Sequence, residues 1–473
     1  MKVLAVASEV FPLVKTGGLA DVTGALPRAL AEHGIETRTL LPGYPAVLAS
    51  LPDAEQVLQF SDLFGAPASV RAARVAELSV LVIDAPHLYA RSGAVYGWPD
   101  DALRFAALAR VAAELGLGAV KNFVPDVVHC HDWQAGLAAA YLRADGRTPP
   151  ATVMTVHNLA FQGQFPPTLL PALRLPPNAF TVDGIEYYGS VGYLKAGLQL
   201  ADCITTVSPT YAAEIQSPAL GMGMDGVLRH RAADLVGILN GIDTSVWDPA
   251  RDAALATSYS AASLSRRRDN KAALQAQLGL PVDRSTPLFG IITRLSWQKG
   301  IDLVTANAAE FSASGAQLVV LGSGDAAEEN AVRALPQRLG ADVAAVRIGY
   351  DEALAHRIQA GVDALIVPSR FEPCGLTQLC ALRYGAVPVV ARTGGLIDSV
   401  IDASPVALAA GVATGVQFER DSAGMLASAL RRTVGLYRDE PTWQRMQANG
   451  MATDVSWRGP AQAYARLYRE LRR

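Results

Sequence analysis

This sequence has little of several things, and each scarcity narrows what it can be. Its four cysteines, Cys130, Cys203, Cys374 and Cys380, are scattered and make neither a disulfide framework nor a paired CxxC metal pattern, which fits a reducing cytoplasm. No run approaches ~18 consecutive apolar residues, so a membrane-spanning helix is not expected. Met1 leads straight into KVLAVASEV, which lacks the organisation of a cleavable signal, so neither secretion nor membrane attachment is expected. Charge is sparse too. Only 18% of the residues are charged and the formal net charge is −3, which argues against nucleic acid or another polyanion as partner. Lysine is rare, six among 41 basic residues, and this singles out Lys15 and Lys299, each within two residues of a glycine. Lys271 falls outside every motif below and is expected on a solvated helix face.

What is present is material for large cores. Half of the 473 residues are hydrophobic, and a chain of this length calls for about two domains. Short runs rich in Val and Ile alternate with helical patterns, the signature of parallel sheets covered by helices. The first series of strands is KVLAVAS, LSVLVID, DVVHCHD, ATVMTVHN and CITTVS, and it closes near VGILNGID. Between the first two, Leu19, Val22, Leu26 and Leu30 keep helical spacing, Gly34 is placed to end the helix, and Pro27 is expected to kink or split it. Residues 249–268 lose the alternation and read as a connection. A second series follows with PLFGIITRL, AQLVVLGSGD, VAAVRIG, DALIVPS and AVPVVAR. The expectation is an α/β chain of two Rossmann-like domains, 1–248 and 269–454, with an amphipathic helix at 455–473 that presents Tyr464, Leu467 and Leu471 on one stripe.

One phrase occurs twice, as KTGGLADV at residues 15–22 and RTGGLIDSV at residues 392–400. Each copy follows a strand and opens a helical stretch. Adjacent glycines there let a backbone approach a phosphate closely, and Lys15 and Arg392 favour an anionic ligand, although a plain tight turn has the same signature. In sheets of this kind ligands bind beyond the carboxyl ends of the strands, so both copies lie on ligand-binding edges. TRLSWQKG ends a strand with Arg294 and Lys299, a planar fork and a point charge suited to phosphate oxygens.

Further candidates sit on the same edges. VVHCHDWQ places His129 and His131 on one face of a strand, but with Asp132 they make too few ligands for a metal site, and none is expected. Asp132 is either the N-cap of a helix starting at Trp133 or a substrate contact. His157 and Asn158 close another strand. In RFEPCGLTQL, Glu372 precedes a helix start, where it can accept from sugar hydroxyls or complement the helix dipole. GSGDAA loosely fits a dinucleotide fingerprint, but its acidic partner Asp342 precedes the next strand instead of ending it, which removes the dehydrogenase reading. No Walker A, HExxH or D-x-D motif occurs.

KTGGLADV, HCHDWQAGL, TVHNLAFQG, TTVSPTYAAEI, GILNGID, TRLSWQKG, LGSGD, FEPCGLTQL and RTGGLIDSV, in this order, resemble the bacterial glycogen synthases, relatives of the plant starch synthases. The resemblance spans nearly the whole chain. It implies a GT-B architecture, two facing Rossmann-like domains with an interdomain cleft, and a terminal helix that returns to the first domain. It implies transfer of glucose from ADP-glucose to the non-reducing end of glycogen or another α-1,4-glucan, with retention of configuration and no cofactor. Carried over position by position, it puts the donor diphosphate against Arg294, Lys299, Thr393, Gly394 and Gly395. Lys15, Gly17 and Gly18 approach the donor from the other domain, Glu372 holds the donor glucose hydroxyls, Cys374, Gly375 and Leu376 are further substrate-binding positions, Asp132, His157 and Asn158 line the sugar and acceptor side, and Asn240 also faces the cleft. Tyr96 matches a tyrosine near the donor, although YGWPDDALRF is several residues shorter than the family's loop. Another GT-B enzyme using a different nucleotide sugar and a non-catalytic glucan-binding relative are the alternatives.

Overall fold

The structure is a computed structural model and describes residues 1–472. The chain divides into two compact units, one of Met1–Asn240 with the C-terminal segment from Trp457, the other of Gly241–Ser456.

The first unit holds a nine-stranded sheet. In spatial order its strands are Leu235–Gly237, Cys203–Thr206, Ala151–Val156, Val127–His131, Lys2–Val6, Glu36–Pro42, Leu78–Asp84, Ala68–Val75 and Glu55–Phe60. Pairing is parallel as far as Leu78–Asp84 and antiparallel over the last two strands. The central strands are continuous apolar runs buried on both faces, as a helix-covered parallel sheet requires. Their ends are level, with Val6 opposite Cys130 and His131 opposite Thr155, so Glu9, Asp132 and His157 leave one edge together.

The helix Gly18–Ala31 runs through Pro27 undivided. A proline inside a helix costs about 3 kcal/mol. Val22, Leu26 and Leu30 are all buried beside it, each gaining about 1.5–3 kcal/mol on full burial, and this outweighs the lost bond. The C-terminal helix Arg458–Leu471 packs into the same core through Ala461, Tyr464, Ala465 and Tyr468.

The second unit is an all-parallel six-stranded sheet, in spatial order Ala344–Ile348, Gln317–Gly322, Leu288–Ile292, Ala364–Val367, Val387–Ala391 and Val416–Phe418. Three adjacent strands of this sheet lead directly into TRLSWQKG, RFEPCG and RTGG.

Two expectations about organisation differ from the structure. The change of unit falls between Asn240 and Gly241, ahead of the expected 248, because Ile242 donates to Val455 and packs with Leu379 and Leu382. Residues 249–268 are not a free connection. Tyr259 is buried and donates to the Tyr384 carbonyl, and Arg267 donates to the carbonyls of Gln359 and Val362. Lys271 is likewise buried rather than solvated. Its ammonium is 2.7 Å from Asp363 and donates to the carbonyls of Arg284 and Thr286.

Candidate functional site

In the first unit the candidates gather around two carboxylates. Glu9, just past the first strand, is buried and accepts from four donors: the Thr16 amide, the Thr16 hydroxyl at 2.6 Å, the Gly17 amide at 3.2 Å and the Tyr96 hydroxyl at 2.5 Å. Tyr96 is also 2.8 Å from Ser8 Oγ. Burial, then the Glu9 charge, holds the Tyr96 phenol well above its ordinary pKa. The first glycine-pair turn is therefore arranged around the protein's own anion, and Gly18 opens the helix behind it. Lys15 pairs with Asp21 at 2.8 Å and lies over the Phe11 ring. The loop after Tyr96 is closed by Asp101, which accepts from the amides of Gly97 and Trp98 and pairs with Arg104.

Asp132 has a left-handed backbone, φ 57°, and its side chain does not cap the helix it opens. The carboxylate instead accepts from the His157 amide at 2.7 Å and from the Asn158 amide, tying two neighbouring strand ends together. The capping reading is thus overturned: the αL turn aims the side chain across to the next strand. Burial pushes Asp132 up to about 7 against the pull of those two amides. His157 Nε2 lies 2.9 Å from His131 Nδ1, and the His131 ring packs on His129, which in turn contacts the Tyr468 hydroxyl at 2.7 Å. Burial holds His129 and His157 down at about 3, so both are neutral at ordinary pH. Asn158 turns its side chain onto the Ala160 amide. Asn240 is buried and its Oδ1 has no partner among the described residues.

In the second unit Lys299 and Glu372 meet directly, with Nζ 2.8 and 2.6 Å from the two carboxylate oxygens. Ser369 Oγ donates to the same carboxylate at 2.7 Å. Glu372 is buried, which fits a placed acceptor better than a surface charge at a helix end. The second glycine-pair turn packs against this residue. A Cβ on Gly394 would lie 2.0 Å from the Glu372 carbonyl oxygen and one on Gly395 2.3 Å from that of Cys374, so no larger residue fits without moving one of the loops. The Gly395 amide donates to the Glu372 carbonyl at 3.1 Å. Thr393, Cys374 and Leu376 are buried or partly so, and Gly375 turns the chain between the last two. Arg294 stands apart. It is exposed, with no ion pair or hydrogen bond among the described residues.

Glu9 and Ser369 were not singled out by their sequence context. Glu9 carried a usable signal, a carboxylate just past the first strand and directly ahead of the glycine-pair phrase. Among the described residues no group of three or more His, Cys, Asp or Glu is arranged to hold a metal ion. No helix among them is long and apolar enough to cross a membrane.

Comparison with known proteins agrees with this layout. Residues 2–230 match the family described as starch synthase catalytic domain, and residues 275–451 the family described as glycosyl transferases group 1. The chain is 61% identical over 477 residues to a glycogen synthase of Rhodopseudomonas palustris (strain BisA53), covering 100% of this chain and 97% of that one. It is 60% identical over 478 residues to a glycogen synthase of strain BisB18, covering 99% and 97%. Among solved structures it resembles the catalytic domain of starch synthase IV from Arabidopsis thaliana bound to ADP and acarbose, with a TM-score of 0.89, 32% identity and 99% of each chain covered.

Proposed function

The chain belongs to the glycogen and starch synthase family of GT-B glycosyltransferases, and from that premise we propose that it transfers glucose from ADP-glucose to the non-reducing 4-hydroxyl of an α-1,4-glucan, with retention of the α configuration. The observation that carries the reading is the Lys299–Glu372 pair, set against the second glycine-pair turn. It offers a cation for a diphosphate and a buried carboxylate for neutral sugar hydroxyls within one small volume.

In this reading Arg294 and Lys299 bind the donor diphosphate beside Thr393, Gly394 and Gly395. Glu372, with Cys374, Gly375 and Leu376, holds the glucose hydroxyls. Lys15, Gly17, Gly18 and Tyr96 contact the donor, and Asp132, His157, Asn158 and Asn240 serve the sugar and acceptor side. The anomeric carbon–phosphate bond breaks, the acceptor oxygen bonds to the same face, and the departing phosphate oxygen takes the acceptor's proton. Lys299 and Arg294 stabilise the charge that grows on the diphosphate. Glu372 is not assigned as a nucleophile, since Lys299 and Ser369 already engage its carboxylate. The burial of all four cysteines supports a cytoplasmic location.

The test is ADP release from ADP-glucose against UDP release from UDP-glucose, each with and without glycogen. Glycogen-dependent ADP release is expected to dominate. Turnover of UDP-glucose alone would move the chain to a different donor, and no turnover with any nucleotide sugar would return the glucan-binding alternative.

A further inference from the structure

Arg370 is not a member of the site just described, yet its side chain ties together the two loops that carry it. Those loops leave neighbouring parallel strands, Leu288–Ile292 and Ala364–Val367. One is the turn Trp297–Lys299, followed by the helix Ile301–Ala306. The other is the stretch from Pro368 to Gly375. Arg370 sits in the second loop and reaches into the first. Its amide donates to the Gln298 carbonyl at 2.9 Å, and Nη1 donates to the Trp297 carbonyl at 2.8 Å. Nη1 and Nη2 hold both oxygens of Asp302 at 2.7 Å. Nε donates to Asp421 at 2.6 Å, and the guanidinium lies 4.7 Å from the centroid of the Trp297 ring.

The backbones beneath this brace are already close. Gly300, at φ 65°, has space for no Cβ, which would lie 2.1 Å from the Pro368 carbonyl oxygen. What the guanidinium adds is orientation. A planar fork bound on both Asp302 oxygens and on Trp297 fixes rotation as well as distance, which one ammonium cannot do. The residue after this turn's midpoint is Lys299, and two positions beyond Arg370 is Glu372. We infer that Arg370 is a positioning residue for glucosyl transfer: by clamping Trp297 and Asp302 it sets where the Lys299 ammonium stands against the Glu372 carboxylate. The inference rests on the proposed function for its kinetic consequence and on geometry alone for its structural one.

The experiment has two arms on the full chain. In the first, Arg370→Gln is assayed with ADP-glucose and glycogen. A misplacement of about 1 Å can cost on the order of 10²-fold, so kcat is expected to fall about 10- to 100-fold with a smaller change in donor KM. Arg370→Lys is expected to recover little of it. In a Lys299→Ala background Arg370→Gln should cost almost nothing further, because the residue acts through Lys299. An unchanged kcat, an equal additional loss in that background, or a lower melting temperature with kcat per folded enzyme preserved would overturn the inference. The second arm needs no turnover, and so separates this inference from the choice of donor. With six lysines in the chain, reductive ¹³C-methylation gives few enough signals to assign each by substitution. The Lys299 signal is expected to shift in Arg370→Gln while that of exposed Lys121 stays fixed. A Lys299 signal unmoved by the substitution would overturn it whatever the donor proves to be.

Discussion

The Lys299 ammonium bridges both oxygens of Glu372, at 2.8 and 2.6 Å, and the two side chains are unequally buried, 21% exposed for the lysine and 9% for the glutamate. The carboxylate therefore depends on the lysine more than the reverse. Lys299→Ala leaves Glu372 with Ser369 as its remaining side-chain partner, and a buried group that loses a partner costs about 1–3 kcal/mol. A modest fall in stability is expected from this cause alone.

The larger effect falls on rate. If the ammonium neutralises charge that grows on the leaving diphosphate, Lys299→Ala lowers kcat on the order of 10²- to 10³-fold with a smaller change in KM, and Lys299→Arg recovers only part. The control is Lys121→Ala, since Lys121 is exposed, whereas Lys271 is buried against Asp363. A folded Lys299→Ala enzyme as fast as Lys121→Ala would remove Lys299 from the chemistry.

Glu9→Ala strips the acceptor from the Thr16 amide and hydroxyl, the Gly17 amide and the Tyr96 hydroxyl at once. Thr16 is exposed, Gly17 and Tyr96 are half-buried and Tyr96 keeps Ser8 Oγ, so water and Ser8 meet part of the loss, and a drop of about 1–3 kcal/mol is expected in urea unfolding, with loss of activity as the turn relaxes. Tyr96→Phe removes one of the four and should cost about 0.5–1.5 kcal/mol. Wild-type stability and activity in Glu9→Ala would show that this carboxylate does not organise the turn.

Most of this architecture was legible in the sequence, and the parts that were not have physical reasons. The central parallel strands announce themselves as continuous apolar runs, and their carboxyl ends locate His157, Lys299, Glu372 and Thr393. Glu36–Pro42 and the antiparallel pair Glu55–Phe60 and Ala68–Val75 were missed because they mix Arg, Thr, Glu and Gln into half-exposed strands. Lys271 was misplaced because a buried cation is visible only through its partner Asp363, far away in sequence. The Asp132 contact was hidden in the same way. A left-handed aspartate that reaches the next strand has the same local sequence as a helix cap. The pairing of Lys299 with Glu372 links loops that no local pattern connects.

No requirement for a divalent ion is expected, because Arg294 and Lys299 supply the positive charge a diphosphate needs and no D-x-D motif is present. Treatment with a chelator should leave the rate of ADP release nearly unchanged. A large loss that Mg²⁺ or Mn²⁺ restores would show that a metal shares this role.

Asp132 gives the pH prediction. Its folded pKa of about 7 lies above the ~3.9 of an unfolded aspartate, so the folded protein binds this proton more tightly than the unfolded chain. The stability it contributes is present below about pH 4 and is lost as pH rises through 7. His129 and His157 act in the opposite sense. Held at about 3 against an unfolded value near 6.5, they contribute stability above pH 6.5 that is lost on acidification. The wild-type profile mixes both trends, and the difference from Asp132→Asn isolates the aspartate. Between pH 5 and 7 the variant should gain on the wild type by up to about 1.4 kcal/mol per pH unit, the limit for one proton, with the gain levelling off above pH 7 as both states lose it. Denaturant unfolding of the two proteins at pH 5, 6, 7 and 8 measures the difference. A difference that stays flat across that range would mean that Asp132 is already ionised in the folded protein at pH 5, held so by the His157 and Asn158 amides against the cost of its burial.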